Sequence, residues 1–149
     1  MSRPTIHASA VLVGARAVLI RGPSGSGKSQ LALALLEAGQ AGTLPFARLV
    51  ADDRAEVEPV HGRLLVRPPA ALAGLIEVRG LGIRQVAYEA MAAVGLIVDL
   101  AAADASRMPE SGAEACEIEG ITLPRLAVAG GQVPLPLVLT YLRSCEEAV

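Results

Sequence analysis

One octapeptide, Gly22-Pro23-Ser24-Gly25-Ser26-Gly27-Lys28-Ser29, constrains this chain more than any other feature. It satisfies the pattern GxxxxGK[ST], with the apolar run AVLI before it and the segment SQLALALLEAG after it. A loop that grips phosphate needs that context: a strand end feeding a tight glycine turn that opens a helix. The glycines let backbone amides turn inward around phosphate oxygens, and the helix start adds about half a positive charge. Lys28 is placed to reach β- and γ-phosphates, and the Ser29 hydroxyl to bind magnesium. Positions 22–29 are therefore candidate nucleotide ligands. The pattern names no reaction, since GTPases, transport ATPases and kinases share it. No NKxD guanine-reading motif and no LSGGQ-like signature accompanies it. A small kinase or a nucleotide-binding regulator is what remains.

The length of 149 residues fits one domain, 1–149, able to bury a core without metal or disulfide staples. Hydrophobic residues make up 52% and aromatics only 2%, so the core must be Ala, Val, Leu and Ile, as in helices stacked on an aliphatic sheet. The net charge of −2, without a basic run, lacks the footprint of a nucleic-acid binder. Cys116 and Cys145 form no CxxC or Cys/His spacing, which predicts free thiols in a reducing cytosol. Arg3, His7 and Arg16 interrupt what a signal peptide would need to be continuous, and the longest apolar run, Ala90 to Val98, is too short to span a bilayer. The expectation is a cytoplasmic protein without membrane or nucleic-acid partners.

Along the chain, IHASAVLV and AVLI predict a hairpin about Gly14-Ala15-Arg16 whose second strand feeds the glycine loop. The segment from Ser29 predicts a buried helix stopped by Gly39. RLVADD reads as a brief strand ending in two acids, and EVEPV with RLLVRP as a hairpin about His61-Gly62. GLIEVRGLGIRQV is too irregular for a plain strand and suggests a strand end running into a functional loop. VAYEAMAAV is a short helix candidate, GLIVDLA a deeply buried strand and ADASRMPESGAEA a polar, mobile loop. CEIEG and ITLPRLAV predict a hairpin about Gly120, and LPLVLTYLRSCEE a closing helix from near Pro136. The sum is an α/β fold: a phosphate-loop kinase-like domain with a central β-sheet, a buried loop-following helix and accessory hairpins.

Magnesium needs a carboxylate, and phosphate transfer to a hydroxyl needs a second one to accept the proton. Asp52 and Asp53 close a predicted strand, where a parallel sheet presents ligand-binding residues. Neighbours in a strand point to opposite faces, so one acid could face the nucleotide and the other the substrate. Asp99 in LIVDL is a rival magnesium carboxylate. Glu77 and Arg79 in EVRGLG share a face if extended and suit a metal-and-phosphate site, or else a structural ion pair. His7, alone in the first strand, reads more simply as a core or surface residue.

The order and wording of IHASAVLV, GPSGSGKS, LVADD and EVRGLGIRQV resemble the catalytic, C-terminal domain of the HPr kinase/phosphorylase family, over about Ile6 to Leu100. The resemblance implies an ATP- and magnesium-dependent kinase acting on a serine of an HPr-type phosphocarrier. It puts the family's catalytic histidine on His7, its adjacent acids on Asp52 and Asp53, with Asp53 the proton acceptor, and its magnesium-binding glutamate on Glu77 beside Ser29. A mobile-loop arginine falls on Arg107 in ASRMP, and Arg79 joins it in steadying charge. The resemblance further implies a homohexamer and a short form, of the kind known from alphaproteobacteria, without the separate N-terminal domain. Gln30 stands where the family has an acid, and LAVAGGQV replaces a basic stretch tied to dephosphorylation, so reverse phosphorylase activity is expected to be weakened. The stretch AGTLPFA lengthens the usual spacing and predicts a bulging loop. Two alternatives stand beside this: a small-metabolite kinase of the shikimate or gluconate type, and a non-catalytic nucleotide sensor.

Overall fold

The structure, a computed structural model, describes residues 4–109 and 114–147, without the side chains of 145–147. The Cys145 side chain and the centre of the polar loop, 110–113, therefore lie outside what the structure describes. Eleven strands and two long helices follow one another: β1 (Thr5–Ile6), β2 (Ala8–Val13), β3 (Arg16–Arg21), α1 (Lys28–Gln40), β4 (Ala47–Ala51), β5 (Ala55–Val60), β6 (Arg63–Arg67), β7 (Leu75–Val78), β8 (Gly82–Gln85), β9 (Ala92–Asp99), β10 (Ala115–Ile118), β11 (Ile121–Ala127) and α2 (Pro134–Glu147). Nine strands form one sheet in the order β1-β5-β6-β9-β3-β2-β4, with β11 also beside β9 and β10 beside β11. β7 and β8 make a separate hairpin. The chain is thus the expected α/β domain with accessory hairpins.

The sheet is buried on both faces, which is why its central strands read as unbroken apolar runs rather than as alternation. In β3, Val18 and Ile20 join the core cluster that holds Leu31 and Leu35 of α1, while Ala17 and Leu19 join the opposite cluster under the β5–β6 and β10–β11 hairpins. β9 divides likewise, Leu96 and Val98 toward the helices and Ile97 toward the hairpins. Fully burying each such aliphatic side chain contributes roughly 1.5–3 kcal/mol.

Strand direction gathers the chemistry at one end. β3 runs parallel to β9, β9 to β11, and β2 lies antiparallel to both β3 and β4. The carboxyl ends of β3, β4, β9 and β11, and the start of β2, therefore share one edge of the domain. Arg21 O accepts the Leu100 amide at 2.8 Å, and Val128 O accepts the Ala102 amide at 2.9 Å, which ties these ends together.

Three local expectations are corrected. The helix does not stop at Gly39: α1 continues to Gln40, and Gly42, at φ 80°, turns the chain away. Gly39 serves close packing instead, since a Cβ there would stand 2.7 Å from Ala47 Cβ. VAYEAMAAV forms no helix; Tyr88 bridges to Leu49, Glu89 donates its amide to Leu49 O at 2.8 Å, and β9 starts at Ala92. An open edge of β4 offered that segment backbone partners, and tertiary pairing overrode a helical composition. GLIEVRGLGIRQV, expected to run into an irregular loop, is the regular β7–β8 hairpin.

Candidate active site

Between β3 and α1 the glycine loop is shaped by backbone requirements. Gly25 and Gly27 have φ of 82° and 100°, a region that costs other residues strain, and Gly27 also caps α1. Gly22 is needed for a different reason: a Cβ there would run into Ser26 Oγ and stand 3.1 Å from Leu100 Cβ. Ser26 Oγ itself is buried without a hydrogen-bond partner. Lys28, only 7% exposed, folds its ammonium back to donate to Gly22 O at 2.9 Å and Pro23 O at 3.2 Å.

Asp52 sits just behind the loop. It is 8% exposed, and its Oδ1 accepts the hydroxyls of Ser29 at 2.7 Å and Ser9 at 2.8 Å. Its Oδ2 accepts the Glu77 amide at 3.0 Å. The strand pattern alone would not have aimed it there. Across β2 and β4, Ala10 pairs with Ala51 but Val11 pairs with Leu49, so Val50 is an extra residue, a β-bulge. Val50 and Ala51 both turn to the hairpin face, and Asp52 comes round to the helix face that carries Ser29.

Asp53 differs in every respect. It is exposed, at φ 67°, in a three-residue turn closed by the Arg54 amide donating to Asp52 O at 2.8 Å. A cavity of about 350 Å³ opens here, lined by Ser24, Gly25, Gly27, Lys28, Ser29 and Gln30 of the loop, by Asp53, and by Glu77 to Gly80 and Gly82 of the β7–β8 hairpin. The two sequence segments singled out as LVADD and EVRGLG thus meet across the glycine loop. Oxygen donors of Ser29, Asp53 and Glu77 face the same space.

Other expected residues lie elsewhere. His7 is exposed in the bend between β1 and β2 and does not line the cavity, although the next amide, Ala8, donates to Asp53 O at 3.1 Å. Arg107 is exposed and lines a separate cavity of about 910 Å³ between the segment 104–109, β11 and α2. Asp99 is excluded as the magnesium carboxylate. It points to the hairpin face with Ile97, opposite to Ser29, and is held by Arg21 at 2.7 and 2.8 Å and by Arg125 at 2.5 Å. Burial pushes the Asp99 carboxyl up, but the hydrogen bonds of the two guanidinium groups outweigh it and hold the group below the usual carboxylate range. Arg125 also binds Asp104 at 2.7 and 2.9 Å, which lowers that carboxyl as well. Cys116 is a free thiol pushed up by burial.

The sequence did not single out Ser9. Its only signal was a lone hydroxyl in the run ASAVLV, and nothing local says what that hydroxyl meets. Among the described residues no three acidic, His or Cys side chains form a self-contained metal cage, and no helix is long and apolar enough to cross a membrane.

Comparison with known proteins gives the family. The family model described as the HPr Serine kinase C-terminal domain matches residues 1–128. The HPr kinase/phosphorylase of Clostridium beijerinckii is 41% identical over 78 residues, 52% of this chain and 24% of that protein. That of Clostridium tetani is also 41% identical over 78 residues, with 23% of its length covered. The chain therefore spans about a quarter of the length of these curated relatives. A solved structure, the Hpr(Ser) kinase/phosphatase from Coxiella burnetii, superposes with a TM-score of 0.77 at 27% identity, covering 97% of both chains. With the family model matching residues 1–128, most of the chain, the protein belongs to the HPr serine kinase C-terminal domain family.

Proposed function

We propose that this chain is an ATP- and magnesium-dependent protein-serine kinase whose acceptor is an HPr-type phosphocarrier. The observation that carries the reading is the meeting of Lys28, Ser29, Asp53 and Glu77 on one cavity, with Asp52 buried behind Ser29. Ser26 Oγ supports it too, because a buried hydroxyl without a protein partner suits a loop whose phosphate ligand supplies the missing oxygens.

The donor set suits magnesium. Ser29 spends its proton on Asp52, which leaves its lone pairs free, Glu77 adds hard carboxylate oxygens on the cavity wall, and Asp52 places its negative charge directly behind Ser29. The absence of a protein-only cage among the described residues fits a cation that takes most of its ligands from phosphate and water. Ser29, Asp52 and Glu77 would hold it, and when bound it supplies charge neutralisation at the phosphate oxygens.

Lys28 and the loop amides would hold the β- and γ-phosphates, Lys28 exchanging the carbonyls of Gly22 and Pro23 for phosphate. Arg79, on the cavity wall, would balance charge on the transferring group. The acceptor serine's oxygen attacks the γ-phosphorus, the bond to the bridging oxygen breaks, ADP leaves, and the serine's proton passes to Asp53. Asp53 suits that role because it is exposed at the cavity mouth, where a folded protein can present a serine. His7 and Arg107, outside the lining, receive no step. Phosphorylase activity is weak or absent in this reading, since Leu126–Val133 carries no arginine.

The test is incubation with γ-labelled ATP, magnesium and either a purified HPr-type carrier or cell extract. Label on a carrier serine is the expected result. Label on a small metabolite supports the metabolite kinase instead, and nucleotide binding with no transfer to any acceptor supports the sensor.

A further inference from the structure

We propose that Ser9 is a positioning residue that couples the metal-side acid to the base-side acid through one hydroxyl. The inference rests on the reading of Asp52 and Asp53 given above. Ser9 is fully buried on β2, between Ala8 and Ala10, which face the hairpin cluster. Strand alternation therefore turns Ser9 to the helix face, with Val11 and toward Ser29.

A hydroxyl has one proton to donate and two lone pairs to accept with. Ser9 gives its proton to Asp52 Oδ1 at 2.8 Å and accepts the Asp53 amide at 3.1 Å. The adjacent Ala8 amide donates to Asp53 O at 3.1 Å. Residues 8 and 9 thus grip Asp53 by both its amide and its carbonyl, holding a non-glycine residue at φ 67°. The same hydroxyl fixes the carboxylate that takes the Ser29 proton. Removing it frees Asp52 to rotate about its remaining donors and loosens the turn that aims Asp53. Ser9 touches neither the cavity nor any reacting atom, so its effect must pass through those two acids. Outer-sphere partners of metal-binding carboxylates are worth about 10–100-fold in metal affinity, and a misplacement near 1 Å can cost about 100-fold in rate.

The test uses the whole chain with Ser9→Ala and Ser9→Thr, measuring ADP affinity with and without magnesium by calorimetry, phosphate transfer to HPr, and thermal melting. Ser9→Ala is expected to melt cooperatively and bind ADP without magnesium within about threefold of the parent. It should lose about tenfold or more of the magnesium-dependent gain in affinity, with kcat down about 10–100-fold and KM for ATP nearly unchanged. Ser9→Thr, which keeps the hydroxyl, should recover both quantities. Should Ser9→Ala not fold, Ser9→Cys, of similar size and weaker donor strength, is read by the same affinity ratio. An unchanged magnesium gain in the variant, or equal losses with and without magnesium, overturns the inference. A parent that binds ADP in a magnesium-dependent way but never phosphorylates HPr removes the kinase reading while the Ser9 coupling stands on the affinity ratio. A parent with no magnesium-dependent gain overturns both.

Discussion

Replacing Asp53 by Asn separates the chemistry of the proposed base from its place in the fold. Every hydrogen bond that fixes this residue uses its backbone: the amide on Ser9 Oγ, the carbonyl on the Ala8 amide, and the flanking turn from Arg54 to Asp52. Asn keeps all of them, and it is among the residues most at ease at φ 67°. Stability should therefore move by no more than about 0.5 kcal/mol, the range of exposed substitutions, which is about 2 °C or less in Tm for a domain of this size. Nucleotide affinity should hold or tighten, because one negative charge leaves the cavity proposed to hold the phosphates. The transfer step loses its proton acceptor, a contribution of about 10²–10⁴-fold, or roughly 2.7–5.4 kcal/mol in the barrier. Single-turnover transfer of labelled phosphate to HPr, alongside ADP calorimetry and a melting curve, reads all three quantities. Transfer at a tenth of the parent rate or more would refute the base role. A loss of transfer matched by loss of affinity or of Tm would show that Asp53 acts through structure.

Two further outcomes follow from the packing. Because the native Asp99 carboxyl lies below its unfolded value near 3.9, its ion pairs with Arg21 and Arg125 add stability that is complete above that value and disappears as pH falls through the lower native one. Asp99→Asn should cost about 2–3 kcal/mol at neutral pH, and acid denaturation below the unfolded carboxylate value should become shallower; a parallel pair of curves would refute the assignment. Gly39→Ala places a methyl 2.7 Å from Ala47 Cβ, and overpacking of about 1–3 kcal/mol should exceed the roughly 1 kcal/mol gained in helix propensity, so chemical denaturation should show a lower midpoint.

Much of the fold was legible because its signals are local. The turns at Gly14, His61-Gly62 and Gly120, and the strand-loop-helix around Lys28, are written within a dozen residues each, where backbone conformation and turn chemistry act. The segment Val86–Met91 was not legible, since its composition favours a helix and only the open edge of β4 decides otherwise. His7 and Arg107 carried family expectations, but the positions of their side chains depend on a bend and on packing against β11 and α2 that no spacing specifies.

The choice between acids shows where sequence ends. From residues alone, Asp99 was a rival to Asp52, each an acid closing an aliphatic strand, with the Asp52-Asp53 pair placed first. By itself the amino-acid order determined the shape of the glycine loop, because glycines at 25 and 27 and a lysine at 28 are backbone and charge requirements of one short segment. Only tertiary structure decided which carboxylate serves that loop. One extra residue at Val50 rotates Asp52 onto the face of Ser29, while a second register shift, at Gly95 in β9, leaves Asp99 on the opposite face between two arginines. A side chain's direction depends on pairing register across strands, and register is a property of the assembled sheet.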